Sequence, residues 1–417
     1  MRTQLRQRGV TAAALLVAAA VLTACGSSAD SGGSSGGGST TGDPVKVGFA
    51  NPVAGPLPYP ASAKGAEAAV NYVNDELGGI GGHPIELVSC DTDGTPDTNV
   101  NCSNKFVEEK VSFVIDGVEL ASGAELPALN SAKIPTVGTI ANNATANQSQ
   151  TSFYYGPASQ SFTVGPLYIL KDQGVKSVAF AAGDDAPNHA YFEKNIIPVA
   201  KQLGLELSIT WYPPSSPNWQ VVAASMKSKN ADVVGIAAGS EGGCTSLLTA
   251  LRSAGYTGKV LLGSCALFIK DLGADKAKDV LTYSGTWLPY MDEYAPADVK
   301  DRLKIFTDQM NAINADSDIN SQKATGVFSA IVTTVNALNQ AKVTYPLSGE
   351  TVSSTLRALK DFPTFLSTTV TCDGQQWPGT SSCINSIMLT TVTPQGTIKP
   401  ITDPAFKPLD TSLLKVG

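Results

Sequence analysis

The chain has 417 residues and a formal net charge of −7, with no basic stripe anywhere along it. Nucleic-acid binding draws on clustered lysine and arginine to neutralise phosphate, so this composition argues against such a partner. The length exceeds what one hydrophobic core serves, which favours two domains.

Arg2, Arg6 and Arg8 precede an apolar stretch from Val10 to Leu22 that only Thr11 interrupts. A run of about a dozen apolar residues falls short of the ~20 that a membrane span needs, so residues 1–24 read as a cleaved export signal. Leu22-Thr23-Ala24-Cys25 resembles the lipobox of bacterial lipoproteins, which implies a lipid on Cys25 as the first mature residue. An ordinary signal cut nearby would instead leave Cys25 a free thiol. Gly26 to Gly42 is almost entirely Gly, Ser and Thr, so residues 25–44 read as a flexible tether between a membrane and a folded domain. No later segment is apolar enough to span a bilayer, and a stable lipid anchor calls for more than one acyl chain.

From Val45 onward, short β-rich runs alternate with helix-length amphipathic runs. Val45–Phe49 predicts a strand, and Ala66, Ala69, Val70, Val73 and Leu77 recur at helical spacing until Gly78-Gly79 stops the helix. Ile85–Val88 is the next strand, 100–110 a helix, Val111–Val118 a buried strand, and Ser122 opens a helix before strand Ile134–Ile140. After a polar stretch the rhythm resumes: helix 160–173 and strand 177–182, then helix 190–203 and strand 205–211. Helix 219–228 leads to strand 232–238, and helix 244–254 to strand 260–262. Such alternation builds parallel sheets covered by helices on both faces. Two helices, 296–313 and 324–342, then follow one another directly; in the second, Ala324, Val327, Phe328, Ile331, Val335 and Leu338 form one apolar face. Helix 350–360 and strands near 368–371 and 387–392 close the chain. These last pieces are too few for a third domain, so they return to complete the first two, and the crossings make a hinge. The expected division is lobe 1 at 45–157 plus 287–367 and lobe 2 at 158–286 plus 368–417.

Besides Cys25 there are six cysteines, Cys90, Cys102, Cys244, Cys265, Cys372 and Cys383. An even number in an exported chain suggests disulfides, and sequence order suggests the three nearest-neighbour pairs. A metal site has little support, because no C-x-x-C occurs and neither His83 nor His189 stands at ligand spacing from a cysteine. Asp91-Thr92-Asp93-Gly94 begins like a calcium loop without its closing carboxylate, and reads as a turn. No G-x-S-x-G elbow, P-loop or H-E-x-x-H is present, and neither histidine has an evident catalytic partner. The chain is therefore expected to be neither an enzyme nor a cofactor carrier. Ligands of open α/β sheets bind beyond the C-terminal ends of the strands. The segments there are 51–60, 119–123, 138–143, 183–189, 240–243 and 263–267, most of them small and polar.

Gly55-Pro56-Leu57, Lys64-Gly65-Ala66-Glu67-Ala68-Ala69-Val70, Asn74-Asp75 and Gly78-Gly79-Ile80-Gly81-Gly82-His83-Pro84-Ile85 resemble the leucine/isoleucine/valine-type solute-binding proteins of ABC importers. Leu120-Ala121-Ser122-Gly123-Ala124, Lys133-Ile134-Pro135-Thr136-Val137 and Leu251-Arg252-Ser253-Ala254-Gly255-Tyr256 extend the resemblance over the mature chain. It implies a type I periplasmic-binding-protein fold: α/β, with two Rossmann-like lobes built on parallel central sheets and joined by a three-crossover hinge. It further implies capture of a small organic solute (an amino acid, amide or related carboxylate) and delivery to an ABC permease by a monomer at the outer face of the cell membrane. A ligand-sensing or adaptor lipoprotein with the same lobes is the alternative. Cys90 and Cys102 look like the family's disulfide in the first lobe. By the resemblance, Ser122 and Gly123 grip a ligand carboxylate, Tyr59 packs on the side chain, and Thr139, Ile140 and Asn142 occupy a contact loop. In the second lobe Pro187 or Asn188 stands where the family has a tyrosine, and Ser240 or Glu241 replaces another aromatic residue. Cys265 stands about where the family has its ammonium-binding glutamate, a role that Glu241 would take over.

Overall fold

The computed structural model describes residues 40–414 other than 56 and 237–238. The expected export signal, Cys25 and nearly all of the expected tether lie outside the described residues. Among the described residues, no helix is long and apolar enough to cross a membrane.

The first half of the chain folds into β1 (Val45–Pro52), β2 (Ile85–Thr92), β3 (Phe113–Asp116), β4 (Thr136–Gly138) and β5 (Ser152–Pro157). The second begins with β6 (Ser177–Gly183), β7 (Glu206–Tyr212), β8 (Val233–Ile236), β9 (Lys259–Leu261) and β10 (Val280–Ser284). A small pair follows, β11 (Phe362–Pro363) and β12 (Thr369–Val370), then β13 (Ser382–Ile384), β14 (Ser386–Val392), β15 (Ile398–Pro400) and β16 (Phe406–Pro408). The first sheet runs β2-β1-β3-β4-β5-β13, parallel throughout. The second runs β7-β6-β8-β9-β10-β14-β15, with β16 also on β14; it is parallel up to β10 and antiparallel beyond. The two parallel parts share one strand order, so each sheet has its own switch point where ligands gather. Strands β3 and β5 are buried along their whole length, as a parallel sheet covered on both faces requires.

The helices obey local rules. Helix Pro60–Asp75 starts on a proline, whose missing N–H costs nothing there, and buries Ala66, Ala69 and Val73. Gly79 turns the chain away at φ +70°, where an added Cβ would strike the His83 carbonyl. The expected helix 190–203 begins earlier, at Ala186, and is interrupted by one wide π turn over Phe192–Ile196. Pro198 explains the interruption, because it has no N–H to give the turn before it.

The chain passes between the sheets after β5, after β10 and at Asn385 between β13 and β14. The last passage lies later than the sequence suggests. Segment 368–384, expected in lobe 2, pairs β12 with β11 and β13 with β5, and so belongs with the first sheet. Arg357 holds it there, donating to the Cys372 carbonyl at 3.0 Å and also to the Gln150 carbonyl. Three disulfides join Cys90 to Cys102, Cys244 to Cys265 and Cys372 to Cys383.

Candidate functional site

A cavity of about 560 Å³ lies between the two sheets, within the size range of small-molecule sites. Both sets of strand ends face it. From the first sheet come Thr139, Ile140 and Asn142 after β4, with Tyr59 at the start of the first helix. Asn142 fixes its own loop by donating Nδ2 to the carbonyls of Val118 (3.2 Å) and Glu119 (3.3 Å). From the second sheet come Asn188 and Tyr191 after β6, Ser264 after β9 and Tyr283 at the end of β10. Asn188 is held by Asp185, whose carboxylate accepts its backbone N–H at 2.9 Å and its side-chain amide at 2.8 Å.

The floor is the first turn of helix Gln322–Gln340. Gln322 donates to the carbonyls of Ser264 (3.0 Å) and Tyr283 (2.7 Å), and so ties this helix to the second sheet. Lys323 donates Nζ to Ser264 Oγ at 3.2 Å and lies 5.3 Å above the Tyr59 ring. Among the described residues lining the cavity, it is the one charged side chain. Burial pulls the Lys323 ammonium below the usual lysine range, with Glu241 pulling the other way. Burial likewise raises the Tyr59 hydroxyl, and Glu241 adds to the effect.

Five of the expected ligand contacts thus converge: Tyr59, Thr139, Ile140, Asn142 and Asn188. Ser122, Gly123 and Glu241 lie off the cavity wall. Ser122 is 1 % exposed, and its hydroxyl accepts from Asn143 at 3.1 Å. Gly123 is backed by the Asn143 and Thr145 side chains. Glu241 turns Oε2 onto the backbone N–H groups of Ala266 and Leu267, each at 3.1 Å, and burial raises its carboxyl against the pull of Lys323. Asp93 caps its own turn, accepting from Thr95 and Thr98. His189 pairs with Asp184 at 2.8 Å and stacks on Trp211. Among the described residues, no cluster of three or more metal-ligating side chains occurs.

A family model described as periplasmic binding protein matches residues 44–385. The chain belongs to that family. Leu/Ile/Val-binding protein homolog 1 of Brucella abortus is 43 % identical over 86 residues, which is 20 % of this chain and 22 % of the relative. The same protein of Brucella suis matches equally, so the chain spans about a fifth of the length of these curated relatives. Solved structures extend the likeness to the whole fold. The branched-chain amino acid transporter substrate-binding protein LivJ from Streptococcus pneumoniae, in complex with isoleucine, is 19 % identical with a TM-score of 0.66, covering 86 % of this chain and 99 % of that one. A leucine-binding protein LivK from Thermotoga maritima is 17 % identical with a TM-score of 0.65, covering 86 % and 98 %. The family is one of binding proteins.

Lys323 and Ser264 escape a reading by resemblance. A signal for Lys323 was present all the same: a lysine opens the first turn of a helix that is otherwise mostly buried, at the end where the helix dipole disfavours a cation.

Proposed function

We propose that this chain is the extracytoplasmic receptor of an ABC importer. It captures a small organic solute, an amino acid, amide or related carboxylate, by closing its two lobes, and a lipid on Cys25 keeps it near the permease. The observation that carries the reading is the cavity lined from the strand ends of both sheets, with Tyr59, Thr139, Ile140 and Asn142 on one side and Asn188, Tyr191 and Ser264 on the other. A solute touching both sides favours the closed state in proportion to its extra contacts there. The names of LivJ and LivK, both of this fold, add support.

The test is a thermal-shift screen of the mature chain against amino acids, their amides and small carboxylic acids, with scattering to follow compaction. A ligand at a hundredfold its Kd should stabilise the chain by about 2.7 kcal/mol and reduce its radius of gyration. A panel without a single hit, or turnover of a hit, overturns the receptor reading. Cys25→Ser should release the chain from the membrane fraction; unchanged fractionation overturns the anchor.

A further inference from the structure

The charges around the cavity differ from what an amino acid zwitterion needs. Binding a buried ammonium requires a carboxylate aimed at it, since an ion moved out of water without a partner is strongly disfavoured. The acid expected to serve, Glu241, is off the cavity wall and bonded to two backbone N–H groups. Cys265, the neighbouring candidate position, is closed by its disulfide to Cys244. Facing the cavity instead is the ammonium of Lys323.

That ammonium is poorly compensated where it stands. Lys323 is mostly buried, and it occupies the first turn of a 19-residue helix whose dipole places partial positive charge at that end. Its contacts are a hydroxyl, Ser264 Oγ, and the face of the Tyr59 ring, neither of which carries a full negative charge. The carboxylate that does act on it, Glu241, makes no hydrogen bond to it and is turned onto the backbone N–H groups of Ala266 and Leu267. An anion in the cavity would relieve both penalties, through charge-assisted hydrogen bonds roughly twice as strong as neutral ones. Polar side chains share the cavity wall with apolar ones, and among the latter Tyr59, Ile140, Phe162, Tyr191 and Tyr283 offer surface to an apolar body.

We propose that the cavity selects organic monocarboxylates with an apolar or aromatic body, seating the carboxylate on Lys323 and Ser264 and making no demand for an α-ammonium group. This ligand class rests on the receptor reading above, yet the two can fail separately. The cation acts as a specificity determinant in both directions. It attracts the acid, and it repels the ammonium of the corresponding amino acid, which finds no carboxylate on the wall.

Calorimetry on the mature chain tests this with matched triplets: phenylpropanoate, phenylpropanamide and phenylalanine; isocaproate, isocaproamide and leucine. In at least one triplet the acid should bind at least tenfold more tightly than both its amide and its amino acid. Lys323→Met should weaken the acid by roughly thirtyfold or more, while Lys323→Arg keeps most of the affinity. Lys323→Gln, which removes the charge but still donates to Ser264, should weaken it comparably and guards against a folding defect in the methionine variant. Binding with compaction in which neither triplet shows that tenfold preference for the acid overturns the anionic class and leaves the receptor standing. So does acid binding that Lys323→Gln leaves unchanged. No binding and no compaction with any member of either triplet overturns the ligand class; the receptor reading then falls only if the wider screen is also empty.

Discussion

Asp116, the last residue of β3, is only 2 % exposed, between the Glu119 N–H at 2.6 Å and the Tyr154 hydroxyl at 2.8 Å. Glu119, fully buried, accepts from Thr92 Oγ1 at 2.6 Å and Asn99 Nδ2 at 3.2 Å, and Glu125 is buried close by. Burial dominates here. It pushes Asp116 up to about 6, Glu119 up to about 7, and Glu125 well above the usual carboxylate range, with Asp116 and Asp93 adding repulsion on Glu119. The folded state therefore holds these protons more tightly than the unfolded chain does. For Glu119 that contribution is fully present below pH 4.5, its ordinary value, and is lost as pH rises through about 7. Glu119→Gln removes the titration and leaves Thr92 an acceptor. Urea unfolding at stepped pH should show the variant gaining on the wild type over that window, by a few kcal/mol at ~1.4 kcal/mol per tenfold in proton affinity. A difference that stays flat with pH would acquit Glu119.

Helix Pro60–Asp75 packs on helix Gln322–Gln340, and Gly65 lies directly against it: a Cβ at that position would strike the Ala324 carbonyl. Gly65→Ala must push the second helix back and, with it, Lys323, one residue from the contact. Overpacking of this kind costs about 1–3 kcal/mol, so denaturant midpoints should fall and ligand binding should weaken together; a stability loss with affinity unchanged would uncouple the contact from the site. The Cys244–Cys265 bridge ties the helix beginning at Glu241 to the loop carrying Ser264. Replacing both cysteines with serine should cost about 2–4 kcal/mol, read as a lower thermal midpoint; no change would make the bridge dispensable. Most elements were legible in the sequence because their apolar spacing is set by burial, as in helix 219–228, where expectation and structure coincide. β13 was not, because three residues carry no period and its place depends on β5, far away in the chain. The site was half legible for a related reason. Tyr59, Thr139 and Asn142 follow strand ends that spacing reveals, whereas Lys323 meets Ser264 only once both sheets are in place.

At the scale of the whole molecule, three passages join sheets that share one strand order, so the cavity is a joint property of both. A ligand seated there must lower the opening of both walls, since each contributes contacts that exist only when the other is near. Hydrogen exchange reads this directly. With bound ligand, amides of 139–142 in the first wall and of 188–191, 264 and 283–286 in the second should slow together, by about the same factor as the ligand raises global stability where exchange follows full opening. Gln322 gives the control, because its amide already links its helix to Ser264 and Tyr283 without ligand. Gln322→Ala should speed exchange at 264 and 283–286 in the free chain, and ligand should restore much of that protection. Slowing confined to one wall would mean that the solute sits on a lobe rather than between lobes, and hinge closure would then lose its driving force.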